Sequence, residues 1–194
     1  MHQVLNYITT ELKTTTKRPF LIAIDGNCGS GKSTLADYLE KQLDCSVFHM
    51  DDFFLQPQQR TTRRLSTPGG NVDYERFQEE VLNHINDAIG VTYQIYNCHQ
   101  GTLTDIVTIP YHDIVIVEGV YSQHPFFKDV YDLKIFLEIS EEEQKNRILS
   151  RNGEDMWAMF RDKWIPMETN YFDAFTIKAK SNFVFSLSDH NNVL

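Results

Sequence analysis

Residues 26–33 read Gly-Asn-Cys-Gly-Ser-Gly-Lys-Ser and match the pattern G-x-x-x-x-G-K-[ST]. They follow the apolar run 20–24 and precede a helical pattern, which is the setting in which such a loop binds phosphate. Its glycines let backbone N–H groups turn inward, and the helix N-terminus adds its positive dipole end. Lys32 would then reach the β- and γ-phosphates, and the Ser33 hydroxyl would ligate Mg²⁺. The alternative is a glycine-rich turn that binds nothing.

We call residues 26–33 the phosphate loop. The nucleotide-binding residues predicted here are Gly26, Asn27, Cys28, Gly29, Ser30, Gly31, Lys32, Ser33 and Thr34. Cys28 lies beside a helix N-terminus, a setting that lowers the pKa of a thiol. We therefore expect a reactive cysteine in this loop.

Two acidic positions could complete the phosphate chemistry. Asp51 follows a predicted strand, and Glu118 ends the apolar run 114–117. Open α/β sheets bind ligands at the carboxyl ends of their strands, so both acids could face the phosphate loop and hold Mg²⁺ or its waters. The alternatives are a helix cap or solvated turn at Asp51 and a surface acid at Glu118.

Short apolar strands alternate with helical patterns along the chain, which is typical of a parallel sheet covered by helices on both faces. Strands are predicted over residues 20–25, 45–50, 113–118, 133–139 and 182–185. Leu5, Ile8 and Leu12 indicate a leading helix, and further helices are expected over residues 33–43, 73–89, 141–151 and 156–171. The prediction is an α/β fold of the P-loop NTPase class, with a five-stranded parallel sheet in one domain over residues 1–194.

Three segments lie outside this regular alternation. Residues 91–109 read as a β-hairpin insertion, and the polar break at 152–155 reads as the tip of a short lid. Residues 56–71 form a long loop, and loops of that length are usually functional or disordered. Its arginines, Arg60, Arg63 and Arg64, could hold an anionic substrate or simply solvate the loop.

Several of these residues carry a family resemblance. Residues 50–54 (Met-Asp-Asp-Phe-Phe), 71–73 (Asn-Val-Asp) and 117–119 (Val-Glu-Gly) resemble the uridine kinase and nicotinamide riboside kinase branch of P-loop kinases. The resemblance extends from about Phe20 to Phe185. Residues 164–168 (Trp-Ile-Pro-Met-Glu) resemble a segment of both kinases and do not choose between them.

The resemblance implies roles for particular residues. Asp51 would be the base that activates the acceptor hydroxyl, and it would share the metal site with Ser33 and Glu118. Phe54 would line the nucleoside site, and Asp73 would bind the ribose hydroxyls, although Asp73 could instead cap the helix that follows it. Catalytic arginines on the helix before the lid would be Arg147 and Arg151, spaced i, i+4 on one helix face. The alternative for these two arginines is an ordinary solvated face.

The sequence departs from the family pattern where the acceptor is recognised. After Asp73 the usual H-P-x-A-F-D is replaced by Tyr-Glu-Arg-Phe. In the hairpin, Tyr96 and His99 stand where uridine kinases place an aromatic and a histidine that read the base, but the spacing is shortened. Both residues are kept as substrate-binding candidates, with cross-strand packing and surface polarity as the alternative.

Bulk composition narrows the class of protein. The 194-residue chain has a formal net charge of -9, so a nucleic-acid-binding surface is not expected. Its 3 cysteines form neither a C-x-x-C pair nor an even set, which argues against disulfides and zinc. The polar N-terminus and the lack of any long apolar run predict a cytoplasmic protein with no membrane partner.

Together these features predict ATP- and Mg²⁺-dependent phosphorylation of a small-molecule hydroxyl, with GTP as an alternative donor. The 5′-hydroxyl of a nucleoside such as uridine or cytidine is the first candidate acceptor, and nicotinamide riboside or another small metabolite is the alternative. A regulatory GTPase would need an N-K-x-D segment, which the sequence lacks. A nucleotide-binding module would need neither Asp51 nor Asp73. Whether the chain forms a homo-oligomer stays open.

Overall fold

The central sheet is built from five strands that are all parallel to their neighbours, in a computed structural model that describes residues 1–186. Across the sheet the strands stand in the order β2, β5, β1, β6, β7. Their bounds are Phe20–Gly26 (β1), Ser46–His49 (β2), Ile114–Glu118 (β5), Leu133–Glu138 (β6) and Phe183–Ser186 (β7). Every residue of β1 is buried, as expected for a central strand covered on both faces. The predicted fold class is confirmed.

Helices cover both faces of this sheet. Their bounds are His2–Leu12 (α1), Lys32–Leu43 (α2), Thr62–Ser66 (α3), Tyr74–Glu80 (α4), Glu141–Met159 (α5), Ile165–Phe175 (α6) and Ile177–Lys180 (α7). One face packs Ile22 and Ile24 against α1 and α2, through residues such as Ile8 and Leu35. The other face belongs to a second core that includes Phe77 of α4 and Tyr171 of α6. The two cores fix the carboxyl ends of the strands, where the site lies.

The predicted hairpin is present as strands Val91–Asn97 (β3) and Thr102–Ile109 (β4), paired antiparallel outside the main sheet. Tyr93 of β3 is buried against Phe48 and Phe53, so the hairpin packs on the sheet. The 56–71 loop contains a 3-10 turn, Pro57–Gln59, and the short helix α3. It is therefore more structured than the sequence predicted.

Two predicted helices differ from the structure. The helix expected over 73–89 ends at Glu80, and a 3-10 turn, Leu82–His84, follows it. This change of helical winding accompanies the burial of Val81, Leu82 and Ile85, which all belong to one core. Apolar periodicity alone does not reveal it.

The second difference concerns the lid. The predicted break at 152–155 is a kink inside α5, where Gly153 has φ 78° and ψ 176°. A π-helical turn, Phe160–Trp164, then joins α5 to α6, so the helix predicted over 156–171 is not a separate element. The positive φ at Gly153 explains why a glycine interrupts this otherwise continuous helix.

Candidate active site

The phosphate loop joins β1 to α2 with the geometry that its glycines allow. Gly26 has φ 136°, and a Cβ atom there would lie 2.0 Å from the Leu137 carbonyl oxygen, so no side chain fits. Gly31 has φ 92° and stands at the N-cap of α2. Within residues 1–186 the amides of Gly29 and Gly31 have no hydrogen-bond partner, and neither has the buried hydroxyl of Ser30. These unpaired donors suit an anionic ligand such as a phosphate group.

Lys32 folds back on the same loop. Its ammonium donates to the Gly26 and Asn27 carbonyls, both at 2.9 Å, and only 8% of the residue is exposed. Ser33 and Thr34, in the first turn of α2, are exposed. The loop thus presents amides, hydroxyls and an ammonium from one short segment.

Cys28 does not have the environment predicted from the sequence. Burial raises the pKa of its thiol, and the nearby Glu168 carboxylate raises it further. The expected lowering by the helix N-terminus is wrong because the thiol lies in an apolar cluster with Ile148 and Phe160. Burial thus favours the protonated form of the Cys28 thiol at neutral pH.

Side chains from the ends of β2 and β5 meet beside the phosphate loop. Ser33 Oγ donates to Glu118 Oε1 at 3.1 Å, and His49 Nδ1 lies 2.6 Å from the same oxygen. This hydrogen bond to Glu118 is the largest cause of the raised pKa of His49. His49 was not among the residues predicted from the sequence, although its place at the end of β2, two residues before Asp51, was a usable signal.

Asp51 follows β2 in the 3-10 turn Met50–Phe53. It is solvent-accessible, yet desolvation by surrounding protein is the largest cause of its raised pKa, a combination that fits the floor of a cleft. The Glu118 charge raises this pKa further, and the Lys32 charge lowers it. Asp52 accepts instead from the Tyr93 hydroxyl at 2.8 Å, so the two adjacent acids have different surroundings.

The donor set fits a hard divalent cation. Within the described part of the chain, no group of three or more His, Cys, Asp or Glu side chains is placed to hold a metal ion on its own. Mg²⁺ is usually bound by only one or two carboxylates together with phosphate oxygens and waters. Ser33, Glu118 and Asp51 supply donors of that kind, and the mutual repulsion of the two carboxylates would be relieved by a cation.

Asp73 is a helix cap in this structure, as the alternative interpretation held. Its Oδ1 accepts from the Arg76 amide at 3.1 Å, which caps α4, and its Oδ2 accepts from Gln59 Nε2 at 2.6 Å. The residue is 4% exposed and borders a cavity of about 390 Å³. The cavity is lined by Leu55, Gln59, Arg64, Asp73 and Glu75.

Phe54 is half-buried and packs at the edge of a core, where it pairs with Val72 in an isolated β-bridge. Because Val72 directly precedes Asp73, this bridge brings Phe54 close to Asp73. The two substrate-binding candidates that follow Asp51 are therefore close to each other, and their role in substrate binding stays a prediction.

The two substrate-binding candidates in the hairpin, Tyr96 and His99, differ in their exposure. Tyr96 is 3% exposed, and its hydroxyl accepts from Arg60 Nη2 at 2.8 Å. His99 lies in the exposed turn between β3 and β4.

Arg64 makes two 2.6 Å hydrogen bonds to Glu75 and stacks on Tyr74, whereas Arg63 is exposed. Two of the three loop arginines therefore hold the loop together.

The two predicted catalytic arginines of α5 differ in whether they contact the phosphate loop. Arg147 Nη1 donates to the Gly29 carbonyl at 3.1 Å, so it contacts the phosphate loop directly, and it also pairs with Glu143. Arg151 is exposed and donates to Asn152 at 2.7 Å, beside the Gly153 kink. Only Arg147 is already at the site.

Asp25, fully buried at the end of β1, is a further residue that the sequence analysis missed. It accepts from the Gly26 and Gln123 amides and from the Tyr171 hydroxyl at 2.7, 3.1 and 2.8 Å. Burial raises its pKa to about 6 in spite of these bonds. Asp25 thus ties β1 to α6 directly beneath the phosphate loop.

Comparisons with known proteins agree with this geometry. A family model described as an AAA domain matches residues 22–161. A uridine kinase from Ureaplasma parvum is 27% identical over 192 residues, covering 92% of this chain and 93% of the relative. Nicotinamide riboside kinase 1 from Homo sapiens is 30% identical over 137 residues, covering 69% of this chain and 66% of that protein.

Among solved structures, "a Possible Uridine Kinase from Bacillus stearothermophilus" aligns with a TM-score of 0.67 at 20% identity. The alignment covers 94% of this chain and 99% of that one, and it supports the fold. None of the helices within residues 1–186 has the length and hydropathy needed to span a membrane.

The sheet order and the phosphate loop define a P-loop NTPase. The chain belongs to the family of this AAA-domain model and to the P-loop kinases similar to uridine kinase and nicotinamide riboside kinase. Its class of activity is therefore ATP-dependent phosphoryl transfer to a small molecule.

Proposed function

We propose that this protein transfers the γ-phosphoryl group of ATP to the 5′-hydroxyl of a nucleoside, with Mg²⁺ bound at Ser33, Glu118 and Asp51. One observation carries the proposal: Ser33 of the phosphate loop contacts Glu118, and Asp51 lies close enough for its pKa to respond to both Glu118 and Lys32. Donor phosphate, metal and acceptor base would thus share one edge of the sheet.

Each residue of the site would have a separate role in phosphoryl transfer. Bound Mg²⁺ would neutralise phosphate charge, and Lys32 with the loop amides would hold the β- and γ-phosphates. Asp51 would accept the proton of the acceptor hydroxyl, and Arg147, which already contacts the loop, would stabilise charge that develops on the phosphoryl group. Arg151 would join them only if its side chain left Asn152 and turned toward the phosphate loop.

Acceptor binding is assigned to the cavity beside Asp73. One oxygen of this carboxylate caps α4 and the other accepts from Gln59, but each oxygen can accept a second hydrogen bond from a ribose hydroxyl. Leu55 lines this cavity, and Phe54, its neighbour in the chain, would extend the apolar wall. Tyr96 would influence acceptor binding only indirectly, through its hydrogen bond with Arg60. His99 would contact a base only if the hairpin turn moved toward the cleft.

A second candidate acceptor is nicotinamide riboside, a cationic nucleoside. The cavity is bordered by two carboxylates, Asp73 and Glu75, and by a single arginine, Arg64, which is already paired with Glu75. Such a lining favours a cation over an anion. The 30% identity with human nicotinamide riboside kinase 1 supports the same candidate.

An acceptor screen tests the proposal. ADP release with Mg-ATP should rise severalfold over the acceptor-free rate with uridine, cytidine or nicotinamide riboside, and should stay at the acceptor-free rate with pantothenate and simple sugars. Turnover with pantothenate or a sugar alone would replace the nucleoside as acceptor. Hydrolysis that ignores every acceptor would favour a nucleotide-binding module.

A further inference from the structure

The phosphate loop is held by side chains from the helices on both sides of the Gly153 kink. Glu168 of α6 accepts from the Cys28 amide at 2.9 Å. Gln144 of α5 donates to the Cys28 carbonyl at 2.9 Å and to its sulfur at 3.2 Å. Both backbone polar groups of one loop residue are therefore bound by side chains, one from before the kink and one from after it.

These contacts lie in the protein interior. Gln144, Glu168 and Cys28 are 5%, 6% and 9% exposed. A buried polar group costs free energy unless it is hydrogen-bonded, so each of these bonds is expensive to break. Burial is also the largest cause of the raised pKa of Glu168, which lies at about 7, although the Lys32 charge and the hydrogen bonds with Cys28 lower it.

The charged groups around Glu168 make its contact sensitive to what the loop binds. Lys32 lowers the pKa of Glu168, and Asp25 raises it, while the Cys28 thiol and the Tyr121 hydroxyl are the other titratable groups nearby. An arriving triphosphate would draw the Lys32 ammonium toward itself and add negative charge beside Glu168. Both effects change the energy of the bond between Glu168 and the Cys28 amide.

The chain contains a spectroscopic reporter at this place. Cys28, Ile148 and Phe160 form a small buried cluster, and Trp157 and Trp164 pack against it. These are the 2 tryptophans of the sequence. Trp157 lies in α5 and Trp164 in the π-helical turn before α6, so indole emission reports on the segment that joins Gln144 to Glu168.

We propose that Gln144 and Glu168 are positioning residues that couple the phosphate loop to the two helices flanking Gly153, so that nucleoside triphosphate in the loop changes the surroundings of Trp157 and Trp164. The inference rests on the proposed role of the loop in binding ATP. Through Gln144 and its helix neighbour Arg147, occupancy of the loop would also set the position of the arginine-bearing part of α5.

The test uses two variants and two matched controls. Gln144→Leu removes the amide from α5, and Glu168→Gln replaces the carboxylate of α6 with an isosteric amide. Asn146→Ala and Asp173→Asn make comparable changes at exposed positions of the same helices. Each protein is titrated with Mg-ATP without acceptor, by tryptophan emission and by calorimetry, and its KM values are then measured with the best acceptor.

We expect a saturable change of emission in the wild type and in both controls. Gln144→Leu should lose at least half of this amplitude and raise the KM for ATP about 10-fold, with the acceptor KM within 2-fold of the wild type, because it removes both hydrogen bonds to Cys28. Glu168→Gln keeps an acceptor for the Cys28 amide but removes the titratable charge, so it should lower the amplitude with a smaller rise in the KM for ATP. A purely structural role would lower the melting temperature and leave the emission change intact. Glu168→Gln keeps the side-chain shape, so it carries the test if Gln144→Leu does not fold.

Two results would overturn the coupling. One is full amplitude with an unchanged KM for ATP in both variants. The other is a wild type that binds Mg-ATP by calorimetry without any change in emission. A wild type that shows no calorimetric binding of ATP would instead contradict the proposed function, and the coupling with it.

Discussion

At the scale of single residues, Lys32 is the clearest test of the phosphate loop. Its ammonium is held by two loop carbonyls, so it is already oriented toward the space enclosed by the loop. We expect Lys32→Ala to lower kcat about 100-fold or more, because contacts to charge that develops in the transition state have about this effect. Steady-state ADP release measures it, and exposed Lys41→Ala on the same helix is the control. Near-normal kcat in Lys32→Ala would refute the assignment.

Asp51 tests the chemical step. An amide keeps the shape of the side chain but cannot accept the hydroxyl proton, so Asp51→Asn should lower kcat about 100-fold or more, with the KM for ATP changed less than about 3-fold. Asp105→Asn, at an exposed site of the hairpin, is the matched control. A variant that loses ATP binding and keeps its kcat would assign Asp51 to metal binding alone.

At the scale of elements, Asp73 combines two roles that one variant can separate. Removing the cap of α4 should cost about 1 kcal/mol and lower the melting temperature. Losing charged hydrogen bonds to a ribose should also raise the acceptor KM roughly 10-fold or more, with little change for ATP. Ser140→Ala removes the cap of α5 and should lower stability only. A normal acceptor KM in Asp73→Ala would leave the residue with its structural role.

Local sequence pattern was sufficient for some elements and insufficient for others. The phosphate loop, β1 and α2 follow from adjacent residues whose types fix the backbone, so they could be predicted. The end of α4 could not, because the burial of Val81 and Leu82 depends on the tertiary core. The contacts of Gln144 and Glu168 with Cys28 join residues 116 and 140 positions apart, and no local pattern contains them. Burial likewise reversed the predicted pKa shift of the Cys28 thiol.

At the scale of the whole molecule, buried carboxyl groups make stability depend on pH. The pKa of Glu168 is raised from 4.5 to about 7 and that of Asp25 from 3.8 to about 6. At a pH between the unfolded and the native pKa of each group, the native carboxyl holds a proton that the unfolded chain releases. The free energy of unfolding therefore falls as pH rises from about 4 to 7. Glu168 contributes up to about 3 kcal/mol to this fall in the free energy of unfolding.

Glu168→Gln should therefore weaken this dependence. Urea unfolding at pH 5, 6 and 7 measures the free energy of unfolding for the wild type and the variant, with Asp173→Asn as the control. The wild type should lose more stability over this range than Glu168→Gln does. Parallel pH profiles would show that Glu168 is ionised in the native protein throughout the range.

The whole cleft is proposed to transfer a phosphoryl group from ATP to a nucleoside 5′-hydroxyl. The most direct measurement compares the best ribonucleoside of the acceptor screen with its 5′-deoxy analogue, and identifies the product by phosphorus NMR. We predict a 5′-monophosphate from the ribonucleoside, and for the 5′-deoxy analogue an ADP release no greater than that without acceptor. Equal turnover of the two compounds, or phosphate released as the inorganic ion at the same rate with and without acceptor, would contradict the claim.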